Sequence, residues 1–112
     1  MRFWPRRRLP KVKTGDDGVS LVDGKDFTTF EWRSVVRIEA FKIDLYTVDC
    51  IAIEFTLDDG VRVCMHEDFE GFTSLVKEIE RVFDGIPDEW WTTVAFPAFE
   101  ENRTLLWARP PK

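Results

Sequence analysis

Few side chains in this sequence could carry chemistry, and the most suggestive lie in one short stretch. His66 is the single histidine, and Cys64 stands two residues before it. On a strand, residues two apart share a face and are separated by ~6.6 Å. Glu54 falls opposite Cys64 if the preceding alternating segment pairs with this one. A thiol, an imidazole and a carboxylate on one face suit zinc binding or nucleophilic chemistry. A small metal-dependent or thiol enzyme centred on Cys64 and His66 is therefore the catalytic alternative. No CxxC or HxxxH spacing supports the set, and the same residues also read as a surface histidine beside an inert thiol.

Other catalytic signatures are missing. Neither GxxxxGK nor GxGxxG occurs, so no phosphate-binding loop is expected. The GxSxG elbow is absent, and the only serines are Ser20, Ser34 and Ser74. Carboxylates are plentiful, but nothing selects two of them as an acid–base pair. Asp58 and Asp59 belong to a turn pattern, and Asp68 suits a helix cap. These residues imply no catalytic centre, no resident metal and no cofactor.

The elements that must position these groups are legible from their periods. Ile51, Ile53, Phe55 and Leu57 alternate with Ala52, Glu54 and Thr56, and the pattern resumes at Val61, Val63 and Met65. For both apolar sets to share one face, Leu57 must oppose Val61 across a loop with Gly60 in the left-handed position. This register sets Cys64 opposite Glu54. It also leaves Cys50 ~13 Å further along the partner strand, beyond the ~7 Å reach of a disulfide. Both thiols are expected to be free. Val36, Ile38 and Ala40 predict an earlier strand, Lys42 to Asp49 a mixed stretch with a bend, and Val19 with Leu21 a short strand. Phe30 and Trp32 read as neighbours on one strand face.

Phe72, Leu75, Val76, Ile79, Val82 and Phe83 recur at steps of three and four, which predicts an amphipathic helix. Asp68 is the expected N-cap, with Glu67 and Glu70 near the positive end of the helix dipole. Gly85, Ile86 and Pro87 form the stop. A short second helix fits PDEWWTTV. There Trp90 and Trp91 are adjacent and cannot both point inward on a helix: either one is partly exposed as a contact anchor, or both pack under the Phe96–Phe99 segment. Val94 to Phe99 reads as an irregular apolar segment packed on the core, and TLLWA (104–108) as a closing strand.

A chain of 112 residues with 44% hydrophobic and 14% aromatic side chains is the size of one domain and can build its own core. No apolar run reaches the ~20 residues of a membrane span, and the basic N-terminus lacks the apolar stretch of a signal peptide. A cytoplasmic location is expected. The net charge of −5 is unevenly spread. Residues 1–13 contain Arg2, Arg6, Arg7, Arg8, Lys11 and Lys13 and no acid. The remaining 10 basic residues face all 21 acids, so residues 14–112 carry −11. A basic extended arm (1–13) thus precedes a single acidic domain (14–112). The arm suits phosphate contacts, but the acidic domain repels a polyanion, which argues against a nucleic-acid partner.

The stretches EWRSVVRIEAFKIDLYTVDCIAIEF, EDFEGF, GIPDEWW and AFPAFEENRTLLW resemble a group of small uncharacterised bacterial proteins over residues 28–108. That resemblance implies no activity and no site residues. Strands followed by one amphipathic helix also resemble a pleckstrin-homology-type roll. The chain departs from that roll by continuing from Gly85 to Lys112 beyond the helix. It also departs in its early loops, where Asp23, Asp26, Asp44 and Asp49 replace basic lipid-binding residues. The expected fold is α+β: a twisted antiparallel sheet of about five or six strands against the Phe72–Phe83 helix. A short second helix and an irregular tail follow. The expected function is a non-catalytic protein-binding module of immunity-type or regulatory character, whose acidic surface meets a basic protein partner. Asp44, Asp49, Glu67, Asp68, Trp90 and Trp91 are its candidate binding residues.

Overall fold

Strict alternation around Phe55 organises the largest sheet. The computed structural model describes residues 9–45, 48–96 and 102–110. In it the chain is an α+β fold of two antiparallel sheets and two helices. The first sheet, ordered β1-β2-β3, contains Lys11–Thr14 (β1), Gly18–Asp23 (β2) and Asp26–Glu31 (β3). The second, ordered β6-β5-β4-β7, contains Val35–Leu45 (β4), Val48–Leu57 (β5), Arg62–His66 (β6) and Thr104–Ala108 (β7).

The β5–β6 hairpin has the register that its apolar pattern demands. Phe55 pairs with Val63, Ile53 with Met65, and Glu54 with Cys64. The Leu57 amide donates to the Val61 carbonyl (2.8 Å), and Gly60 takes a φ of 90°. Both cysteines are free.

Several elements differ from the sequence expectation. Seven strands in two sheets replace a single sheet of about five or six. The division falls at a 3-10 turn, Trp32–Ser34, which swings the chain from β3 into β4. Trp32 is buried in that turn and not on a strand; its Nε1 donates to the Gly15 carbonyl (3.1 Å). A bulge between Val35 and Arg37 puts Val35 inward instead of Val36. Strand β4 runs through to Leu45, so residues 42–45 are not bent, while residues 46–47 lie outside the described residues. Of the basic arm, Lys11–Lys13 belong to β1 with Val12 in the core, and residues 1–8 lie outside the described residues.

Phe55 links the two sheets and the helix layer. Fully buried, it packs its ring 5.0 Å from Phe30 and 6.5 Å from Trp32. Trp32 in turn meets Phe83 edge-on at 5.7 Å, and Phe83 lies 4.6 Å from Trp107 of β7. Burying one such phenyl group contributes roughly 1.5–3 kcal/mol.

Helix α1 (Phe72–Val82) buries Phe72, Leu75 and Ile79 on its expected stripe. Its N-cap is Gly71, not Asp68, and no acid occupies its first turn. The reason is the docking of β1: the Val12 amide donates to the Glu70 carbonyl (2.7 Å) and the Glu70 amide to the Pro10 carbonyl (3.2 Å). This close approach leaves no room for a side chain at the next residue. Helix α2 (Trp90–Ala95) follows, so Val94 and Ala95 are helical. Phe96 is exposed instead of packed on the core, and 97–101 lie outside the described residues. Asn102, at a φ of 52°, ties α2 to β7 by donating its amide to the carbonyls of Thr93 and Phe96.

Gly71 has a φ of 90°, and a Cβ there would collide with the Val12 carbonyl oxygen. Gly60 has the same φ with open space around it. Gly60→Ala is therefore expected to cost about 1–2 kcal/mol, the left-handed penalty alone. Gly71→Ala should cost more than ~3 kcal/mol, because clash adds to strain. Urea denaturation of both variants checks the order; equal losses would refute the β1–Gly71 packing.

Candidate functional site

The end of β6 carries the strongest cluster of reactive groups. His66 is half-buried and its ring packs against Phe69, with 4.3 Å between centroids. Its Nδ1 lies 3.3 Å from the sulfur of Cys50 and accepts from the Asp68 amide at 3.4 Å. Cys50 is 2% exposed. Cys50 Sγ, a His66 ring nitrogen and an Asp68 carboxylate oxygen all lie within 4.8 Å of one another. The β5–β6 ladder explains the contact. His66 pairs with Ala52, and Cys50 is the next residue along β5 on the same face. The ladder then continues past β6 through Glu67, which pairs with Ile51 in two ways. The Glu67 amide donates to the Ile51 carbonyl (2.9 Å), and Oε1 of Glu67 accepts from the Ile51 amide (2.8 Å).

Cys64, Glu54 and His66 do not assemble as the sequence suggests. Glu54 is opposite Cys64, but its carboxylate accepts from Arg103 (3.2 Å), which also pairs with Glu39 (2.9 Å) and lies 4.1 Å over the Phe41 ring. His66 turns to Cys50 instead. Desolvation and the neighbouring Glu54 push the Cys64 thiol up, away from thiolate character. Burial, followed by the Asp68 charge, pushes the Cys50 thiol up as well. Neither is an activated nucleophile. The signal that would have found the Cys50–His66 pair was available: carrying the hairpin register two residues past Ala52 brings Cys50 level with Asp68.

The expected binding residues fall at two places. Asp44 and Asp49 are directly opposed in the β4–β5 ladder. They lie toward the same end of the second sheet as Glu67 and Asp68, which are exposed in the β6–α1 connection. Trp90 and Trp91 are on α2, and only one faces out. Trp90 is 3% exposed, and its Nε1 donates to Glu80 (3.0 Å). Trp91 is 38% exposed; its ring lies 5.2 Å from Trp90 and 6.5 Å from Phe72. Glu80, Asp84 and Asp88 line a cleft of about 350 Å³ where α1 leads into α2. Asp84 and Asp88 are acids that sequence reasoning left out of the candidate set, although both flank the recognised stop signal.

The structure is an α+β fold with a thiol–imidazole–carboxylate cluster at the end of β6. Comparison of the chain with family models, curated proteins and solved structures finds no match. No helix among the described residues is long and apolar enough to cross a membrane.

The Arg103 network yields a pH prediction. Burial acts to raise the Glu39 carboxyl, but Arg37 and Arg103 outweigh it and hold it below its ordinary value. The folded state thus binds this proton less readily than the unfolded chain. Its contribution is present above the unfolded pKa of ~4.3 and is lost as pH falls through the lower folded value. Glu39→Gln should be less stable than the parent at neutral pH, with the gap closing below about pH 4. Chemical denaturation across that range tests it; a gap that does not change with pH would exclude the linkage.

Proposed function

We propose that the chain is a non-catalytic, cytoplasmic protein-binding module that engages a basic protein partner, in an immunity-type or regulatory role. The observation that carries this reading is Trp91. It is a partly exposed indole on α2, three residues after Asp88 and two after Glu89, with its ring packed on Trp90. Asp84, Asp88 and Glu89 are exposed, and among the described residues no cation pairs with them. Exposed carboxylates without counter-charges make the local potential more negative and speed encounter with a cationic surface. An aromatic anchor beside them supplies the desolvated contact that charge alone does not.

The second acidic end, at Asp44, Asp49, Glu67 and Asp68, extends the same sign of charge and supports the choice of a basic partner. The same charge disfavours a nucleic-acid partner. A pleckstrin-type roll remains our reading of the architecture, supported by sheets of three and four antiparallel strands with a covering helix. It differs in that β7 returns to β4 after α1 and α2.

The test is affinity capture from a lysate of the native host with wild-type and Asp88→Lys/Glu89→Lys/Trp91→Ala baits. The wild-type bait should retain a basic protein that the triple variant does not. With that partner purified, the variant should weaken Kd at least ~10-fold, and added salt should slow association to the wild type. Equal retention of every captured protein by the two baits would refute the reading.

A further inference from the structure

We propose that Cys50, His66 and Asp68 form a mononuclear binding site for a divalent transition metal, with zinc as the fitting ion. The proposal stands apart from the acidic corner at α2, with which it shares no residue. Its first support is spacing. Zinc takes sulfur at ~2.3 Å and imidazole nitrogen at ~2.0–2.1 Å in a tetrahedral arrangement, so adjacent S and N ligands stand ~3.5 Å apart. The sulfur of Cys50 and Nδ1 of His66 are 3.3 Å apart, and the Asp68 carboxylate completes a triangle with no edge above 4.8 Å. Small side-chain adjustments suffice to seat an ion among them.

Protonation geometry is the second support. The Asp68 amide donates to Nδ1, so this nitrogen carries a lone pair and not a proton. In that tautomer the Cys50 thiol shares the same single lone pair in a three-centre contact at 3.3 Å. His66 is thus in the tautomer that ligates through Nδ1, and packing against Phe69 fixes its ring.

The donor set is the third support. Binding converts the Cys50 thiol to a thiolate and releases its proton to solvent, one per ion. The protein supplies three ligands of mixed softness, the set that suits zinc over calcium or magnesium. Asp68 is exposed and also lines a cleft of about 640 Å³ with Lys11, Lys13 and Glu70, so a fourth ligand can be drawn from solvent.

Cobalt(II) titration of the untagged, reduced full-length chain provides the test, because cobalt–thiolate ligation gives an ultraviolet charge-transfer band. The expected result is one ion per chain, about one proton released near neutral pH, and displacement of cobalt by zinc. Cys64→Ser should keep the band, and Cys50→Ser should abolish it. Asp68→Asn changes an exposed residue and should fold normally, as circular dichroism will confirm. It should weaken zinc at least ~10-fold, the loss that even an outer-shell change produces. Zinc should also slow alkylation of Cys50 in Cys64→Ser. A band that needs Cys64, a band indifferent to Cys50→Ser, or no uptake at micromolar metal would each reduce the cluster to a thiol–imidazole hydrogen bond.

Discussion

Pairing between β4 and β5 is the constraint from which the remaining architecture follows. The ladder extends from Val35 opposite Leu57 to Leu45 opposite Val48, and it supplies the two central strands of the larger sheet. Strand β6 can add only to the free edge of β5, and β7 only to the free edge of β4. Side-chain alternation along β5 sends Ile51, Ile53 and Phe55 to one face, where α1 and the first sheet cover them. A slip of one residue would exchange that set for Cys50, Ala52 and Glu54. The register is therefore held by hydrophobic burial, and the reactive face inherits its geometry from that choice.

What the sequence disclosed and what it concealed follow from how local each signal is. The β5–β6 hairpin was legible because a period of two on both sides of Gly60 admits a single in-phase register. Helix α1 was legible because six apolar residues recur at helical steps before Gly85. The 3-10 turn at Trp32–Ser34 was concealed: no glycine or proline marks it, and Phe30 and Trp32 satisfy strand alternation while Trp32 is buried through a turn. Strand β1 was concealed because Val12 is one apolar residue between two lysines, and its partner at Glu70 is remote in sequence. The N-cap was misread for the same reason. Asp68 is the better capping residue by type, but contact with β1 fixes the helix start at Gly71.

The charge distribution separates structural from unspent electrostatics. Arg37, Arg103, Glu39 and Glu54 form a half-exposed network on the outer face of the second sheet, with Arg103 laid over Phe41. Surface pairs of this kind contribute little individually, and a network over an aromatic ring contributes more than an isolated pair. Those cations are committed to nearby acids. The carboxylates at Asp84, Asp88 and Glu89 have no such partners among the described residues, and they precede in sequence the α2 tryptophan that faces outward.

The thiol cluster illustrates how a register can place chemistry without a motif. Cys50 and His66 are separated by 16 positions and belong to no recognised spacing. They meet because His66 pairs with Ala52, whose small side chain leaves the diagonal neighbour within reach. A larger residue at 52 would stand between them. Cys64, although nearer to His66 in sequence, faces Glu54, and Glu54 is already held by Arg103. Proximity along the chain therefore selected the wrong thiol, and the cross-strand ladder selects the right one. The hydrophobic face that fixes the register thus also determines which cysteine the single histidine meets.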